Sequence, residues 1–184
     1  MAALVVAAGA QVGDRTAWLA AILADRYRAP LLIAAIAGLA IAIAATAATL
    51  AGTLLAPRLT PETKQLLLAL ALVAQGGGAA FRTRPPGRLD GSRLGAITTG
   101  FGGLLALALG GGVPFMILAI ATRSPVPWLA PVGAVIGSLA VILPAATLGE
   151  GDWLALPLRT ARFAIGAMFA IVGVAIGLGA MGLV

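Results

Sequence analysis

Residues 2–24 read AALVVAAGAQVGDRTAWLAAILA, an apolar run interrupted by the polar stretch Gln11-Val12-Gly13-Asp14-Arg15-Thr16. At a rise of 1.5 Å per residue, about 20 residues cross the hydrocarbon of a bilayer. The run is therefore long enough to be a first membrane span with its polar stretch at mid-depth. An ionisable side chain there is costly and by default marks a functional site. The rival reading is a signal peptide cleaved after Ala7-Ala8-Gly9-Ala10. The missing basic leader and the short apolar stretch before Gln11 speak against it.

Composition agrees with a membrane setting. The chain has 184 residues, of which 61% are hydrophobic and 10% charged, and its mean hydropathy is +1.08. Soluble domains are roughly half apolar and a quarter charged. An all-α integral membrane protein is expected, with the lipid bilayer as its partner. The 12 Lys and Arg against 6 Asp and Glu would suggest nucleic acid in a soluble protein. Here most basic residues stand at the ends of apolar runs, which points to membrane topology and not to nucleic acid. There is no Cys and no His, which argues against zinc, copper, haem and iron–sulfur chemistry and leaves no resident cofactor to expect. A metal ion would have to be a hard cation on oxygen ligands, and a proton relay would have to use a carboxylate. Neither a nucleophile–base pair nor a phosphate loop is present, so an enzyme is the least favoured class.

Further spans follow. The turn Asp25-Arg26-Tyr27-Arg28 leads to an uncharged run over residues 30–55. Thr60-Pro61-Glu62-Thr63 has the form of a helix start with Pro at the first helical position, opening a third span over 61–80. Residues 82–93, with Arg82, Arg84, Arg88 and Arg93 beside Pro85, Pro86 and Gly87, form a basic linker. The second half, residues 94–184, is apolar over 94–122, 126–148 and 160–184. Glu150 and Asp152 read as loop charges at a helix end. The order of spans and loops matches that of residues 1–81, and an offset of 99 residues pairs Gln11 with Gly110 and Gly38 with Gly137. Three spans per half make the second half enter the membrane inverted, so six helices in two inverted repeats are expected.

On a continuous first helix, Gln11, Asp14 and Trp18 share one face and Arg15 flanks it as the charge partner of Asp14. The equivalent stretch is Gly110-Gly111-Gly112-Val113-Pro114, where glycines and a proline predict a helix break. Interruptions at corresponding places in two halves point to a midplane site. Carbonyls at Gly110, Gly111 and Gly112 are thus expected to face Asp14. Alternate loops carry Arg26 and Arg28, then Arg82, Arg84, Arg88 and Arg93, then Arg159 and Arg162; the other side has Arg58, Lys64 and Arg123. The positive-inside rule places the richer side in the cytoplasm and both termini outside it. The expected location is an inner membrane of bacterial type.

The stretch Gln11-Val12-Gly13-Asp14-Arg15-Thr16, followed by an apolar run and a charged turn, resembles the first signature of the Gdt-type calcium/manganese–proton antiporters, the calcium:cation antiporter-2 family. Their pattern E-x-G-D-(K/R)-(T/S) occurs once in each of two inverted three-helix halves. Gly13, Asp14, Arg15 and Thr16 match, and Gln11 replaces the Glu. In the second half only Gly112 agrees. The resemblance implies Mn²⁺ or Ca²⁺ exchanged for protons, with Asp14 and Gln11 as metal ligands and Thr16, Gly110, Gly111 and Gly112 as further oxygen donors. A monovalent cation is also open to a site with one carboxylate. Two other classes remain: a membrane protein that keeps the fold as an interaction partner without transporting, and a small exporter of an organic solute.

Overall fold

The structure, a computed structural model, describes residues 1–81 and 96–183. The basic linker over 82–93 lies outside the described residues. Among the described residues eight α-helices follow one another: α1 (Ala2–Gln11), α2 (Arg15–Tyr27), α3 (Pro30–Leu55), α4 (Pro61–Ala80), α5 (Ala96–Gly110), α6 (Gly112–Ala121), α7 (Leu129–Ala155) and α8 (Leu158–Ala180). Among the described residues there is no strand. Three helices are long and apolar enough to cross a membrane: α3 with the 3-10 turn that prolongs it to Arg58, α7 and α8. There are four such spans if α5 and α6, bent by 56° at their junction, count as one. Six spans would further require α1 and α2 to act as one, and α4, which opens on Glu62, Lys64 and Gln65, to cross as well.

The first stretch departs from the expected single helix over 2–24. α1 stops at Gln11, Gly13 takes φ +68, and Asp14 is extended at φ −82 and ψ 160. Glycine adopts that left-handed conformation without the Cβ penalty. Asp14 then accepts from the Thr16 amide and so acts as the N-cap that starts α2. The common face assigned to Gln11, Asp14 and Trp18 is lost with the helix continuity it assumed. The expected break in the second half is present, with Gly111 extended between α5 and α6. The expected start at Thr60 also holds, because the Thr63 amide donates to Thr60 Oγ1 at 3.3 Å and Pro61 follows the cap.

α7 runs past the expected end at residue 148 and takes in Glu150 and Asp152, which are not loop charges. It kinks at Gly149, whose φ of 79 and ψ of 176 are not helical. The Asp25 carboxylate holds the kink by accepting from the Glu150 amide at 2.6 Å. This contact brings the end of α2 to the end of α7.

Small residues set the packing. α1 lies on α7 so closely that the Leu4 carbonyl occupies the space of a Cβ at Gly137. α4 and α8 meet through Gly76, Gly166 and Gly173. Contacts of this kind are usual between membrane helices, where close backbone approach replaces a hydrophobic driving force. The outer surface is apolar: Leu39, Ile136 and Ile171 are 56%, 53% and 69% exposed. An exterior of that character suits lipid and not water.

Candidate cation site

The breaks after α1 and after α5 meet. A cavity of about 20 Å³ is lined by Ala10 and Gln11 at the end of α1, Asp14 and Thr16 at the start of α2, Leu107 and Ala108 near the end of α5, and Gly111, Gly112, Val113 and Pro114 at the start of α6; Ile41, Ala44 and Ala45 of α3 and Gln75 of α4 complete it. A single water needs roughly 10–15 Å³ on this measure, so the cavity has room for one water or one bare ion. The carbonyl ends of α1 and α5 and the amide ends of α2 and α6 all meet there, so the helix dipoles offset one another and Asp14 supplies the charge.

Gln11 is 3% exposed. Its Nε2 donates to Ser138 Oγ of α7 at 3.4 Å, and its Oε1 is buried with no hydrogen-bond partner among the described residues. Leaving a buried amide half-satisfied costs about 1–3 kcal/mol. An oxygen kept in that condition at a cavity wall is suited to receive a ligand.

Asp14 Oδ2 accepts from the Thr16 amide at 3.1 Å and from the Thr16 hydroxyl at 3.0 Å. Thr16 is 2% exposed. With its proton directed at Asp14, the hydroxyl has oxygen lone pairs left for a cation. Among the described residues no group of three or more Asp, Glu, His or Cys comes together, and Asp14 is the carboxylate on this cavity.

Of the residues singled out in the sequence, Gln11, Asp14, Thr16, Gly111 and Gly112 share this cavity. Gly110 does not; it is exposed at the end of α5. Arg15 is exposed as well, and no ion pair joins it to Asp14 among the described residues. Its expected role as charge partner fails because the carboxylate is turned onto Thr16 as a helix cap.

Three residues of the site region were missed. Ser138 tethers Gln11, and nothing in its local sequence signals that. Gln75 was legible as an amide within the otherwise apolar run of α4. Arg162 was read as a loop residue, yet it belongs to α8: its Cδ would lie 3.2 Å from a Cβ at Gly13, and its guanidinium donates to the Gly78 carbonyl at 2.9 Å. Gly13 and Asp14 also line a second, larger cleft of about 750 Å³, bounded by Trp18, Trp153, Arg159 and Arg162 among others. Asp14 thus lines both the small cavity and the larger cleft.

Broken helices whose ends surround a small polar cavity are how membrane transporters build their ion sites, and this chain has that construction. Residues 1–85, somewhat under half of the chain, match the family model of the divalent cation/proton antiporter GDT1. The matched stretch includes the whole break from Gln11 to Thr16 and also Gln75. No curated protein and no solved structure matches the chain.

Proposed function

We propose that the protein exchanges Mn²⁺ or Ca²⁺ for protons by alternating access, with Asp14 as the group that holds either the ion or the proton. The reading is carried by the unpartnered Gln11 Oε1 beside Asp14 in a cavity sized for one ion. Gln11, Thr16 and the backbone at Gly111 and Gly112 supply neutral oxygens around the one carboxylate. The small cavity has no room for an organic solute, for which pockets run to roughly 300 Å³ or more; the adjoining cleft of about 750 Å³ has that room, and an uptake panel of organic solutes separates an exporter from the exchanger.

The transporter has six spans as two inverted repeats, residues 1–81 and 94–184, joined by the basic linker over 82–93. Helix boundaries support this: α1 ends at Gln11 and α5 at Gly110, α3 starts at Pro30 and α7 at Leu129, and 110 − 11 and 129 − 30 both give 99. The linker and the other basic turns face the cytoplasm, and both termini lie outside it, in an inner membrane of bacterial type. Two contacts support a shared side for these turns. Asp25 on Glu150 and Arg162 on Gly78 gather the ends of α2, α4 and α7 and the start of α8 at one end of the bundle.

The test is proton movement driven by Mn²⁺ or Ca²⁺ in proteoliposomes, comparing the natural protein with Asp14→Asn. Flux that Asp14→Asn abolishes supports the exchanger. Folded, inserted protein that moves no protons with either ion leaves the non-transporting alternative.

A further inference from the structure

The second half of the chain has no counterpart of Asp14: the residue 99 positions on is Val113. A site for a hard cation wants several oxygens and compensating charge, so the α6 side of the cavity would be poor in ligands if the two broken helices alone had to furnish it. Gln75 of α4 fills that side. Its side-chain oxygen occupies the place that a Cβ would take at Gly112, with Cδ 3.0 Å from that position, and Gln75 lines the same cavity as Gln11 and Asp14. Any side chain at 112 would evict this amide. Glycine here therefore does more than permit a bend. It makes room for an oxygen donated by a helix of the first half.

We propose that Gln75 is a cation ligand that replaces the acidic donor absent from the second half, so that the site combines one carboxylate with two amide oxygens, from Gln11 and Gln75. This rests on the exchanger reading. Both amides are neutral acceptors, and neither competes with Asp14 for the proton. The arrangement also separates two tasks: Asp14 carries the charge, while the amides complete the coordination and set how tightly an ion is held.

Equilibrium binding of Mn²⁺ to the purified full-length protein in detergent tests it, using the natural protein, Asp14→Asn, Gln75→Ala, Gln75→Glu and Gly112→Ala. Gln75→Ala should weaken binding roughly tenfold, the lower range for losing a group that supports a metal. Gly112→Ala should weaken it to a similar degree with Gln75 intact, and the double variant should be no worse than either single one, because both remove the same oxygen. Gln75→Glu should tighten Mn²⁺ binding and make it steeper with pH, a gain that a merely structural role for Gln75 would not produce. If Asp14→Asn abolishes binding while Gln75→Ala and Gln75→Glu both stay within about twofold of the natural protein, the role of Gln75 falls and the exchanger stands. If the natural protein binds no Mn²⁺, both fall.

Discussion

Asp14 does two jobs that substitution can separate. As the N-cap of α2, its Oδ2 accepts from the Thr16 amide at 3.1 Å and from the Thr16 hydroxyl at 3.0 Å; as an anion, it is proposed to hold the ion or the proton. Asn keeps an oxygen in the same place and is nearly as good a cap as Asp. Asp14→Asn should therefore change stability by less than about 0.5 kcal/mol, or roughly 1–2 °C in melting temperature for a chain of this size. Asp14→Ala loses the cap, worth about 1 kcal/mol, and strands the buried Thr16 hydroxyl for about 1 kcal/mol more. The resulting 2 kcal/mol or so corresponds to a fall of about 4–8 °C. Thermal unfolding of both variants in one detergent, with Mn²⁺-driven proton flux measured on the same preparations, reads the two jobs apart. The expected pattern is a stable, inactive Asn variant and an unstable, inactive Ala variant. The reasoning is refuted if Asn destabilises as much as Ala, which would make the charge a structural element, or if the Asn variant still exchanges ions.

Three other outcomes follow from the packing. Gly137→Ala drives a methyl group into the Leu4 carbonyl, so α1 and α7 must separate; a loss of about 1–3 kcal/mol should appear as a lower melting temperature in the same detergent. Gly149→Ala meets a left-handed φ as well as the Asp25 carboxylate, and should cost about 2 kcal/mol in that assay, with Asp25→Ala recovering part of it by clearing the space. Ser138→Ala removes the acceptor for Gln11 Nε2. With the amide untethered, Mn²⁺ affinity should fall about fivefold, the equivalent of roughly 1 kcal/mol for one hydrogen bond, and an affinity unchanged in a binding titration would show that the tether is not needed.

The break after Gly110 was legible because glycine and proline announce it, and the start of α4 because Thr60 and Pro61 are cap and first-turn residues. The break after Gln11 was harder to see. Its flanks are good helix formers, and the deciding event is a glycine choosing a left-handed φ so that an aspartate can cap a new helix. Reading that stretch as continuous misplaced Arg15, since helical periodicity puts it beside an Asp14 that the break turns elsewhere. That the two signature stretches face one cavity was expected from the inverted plan. That Gln75 and Ser138 complete it was not, because both arrive from helices distant in sequence and only packing brings them in. The kink at Gly149 likewise depends on Asp25, more than a hundred residues earlier, a pairing that no local pattern encodes.

The presence of one carboxylate on the cavity has an electrical consequence. With a proton aboard, the site is neutral; with a divalent ion it carries one net positive charge. Exchange of one divalent ion for the one proton that Asp14 can hold would therefore make each turnover a current. Moving one charge against 100 mV takes about 2.3 kcal/mol. Where the interior is negative, voltage opposes extrusion of the ion and the proton gradient must outweigh it. Clamping the potential of proteoliposomes should then alter the rate, whereas a carrier with a second carboxylate at the site would exchange two protons and be indifferent to voltage.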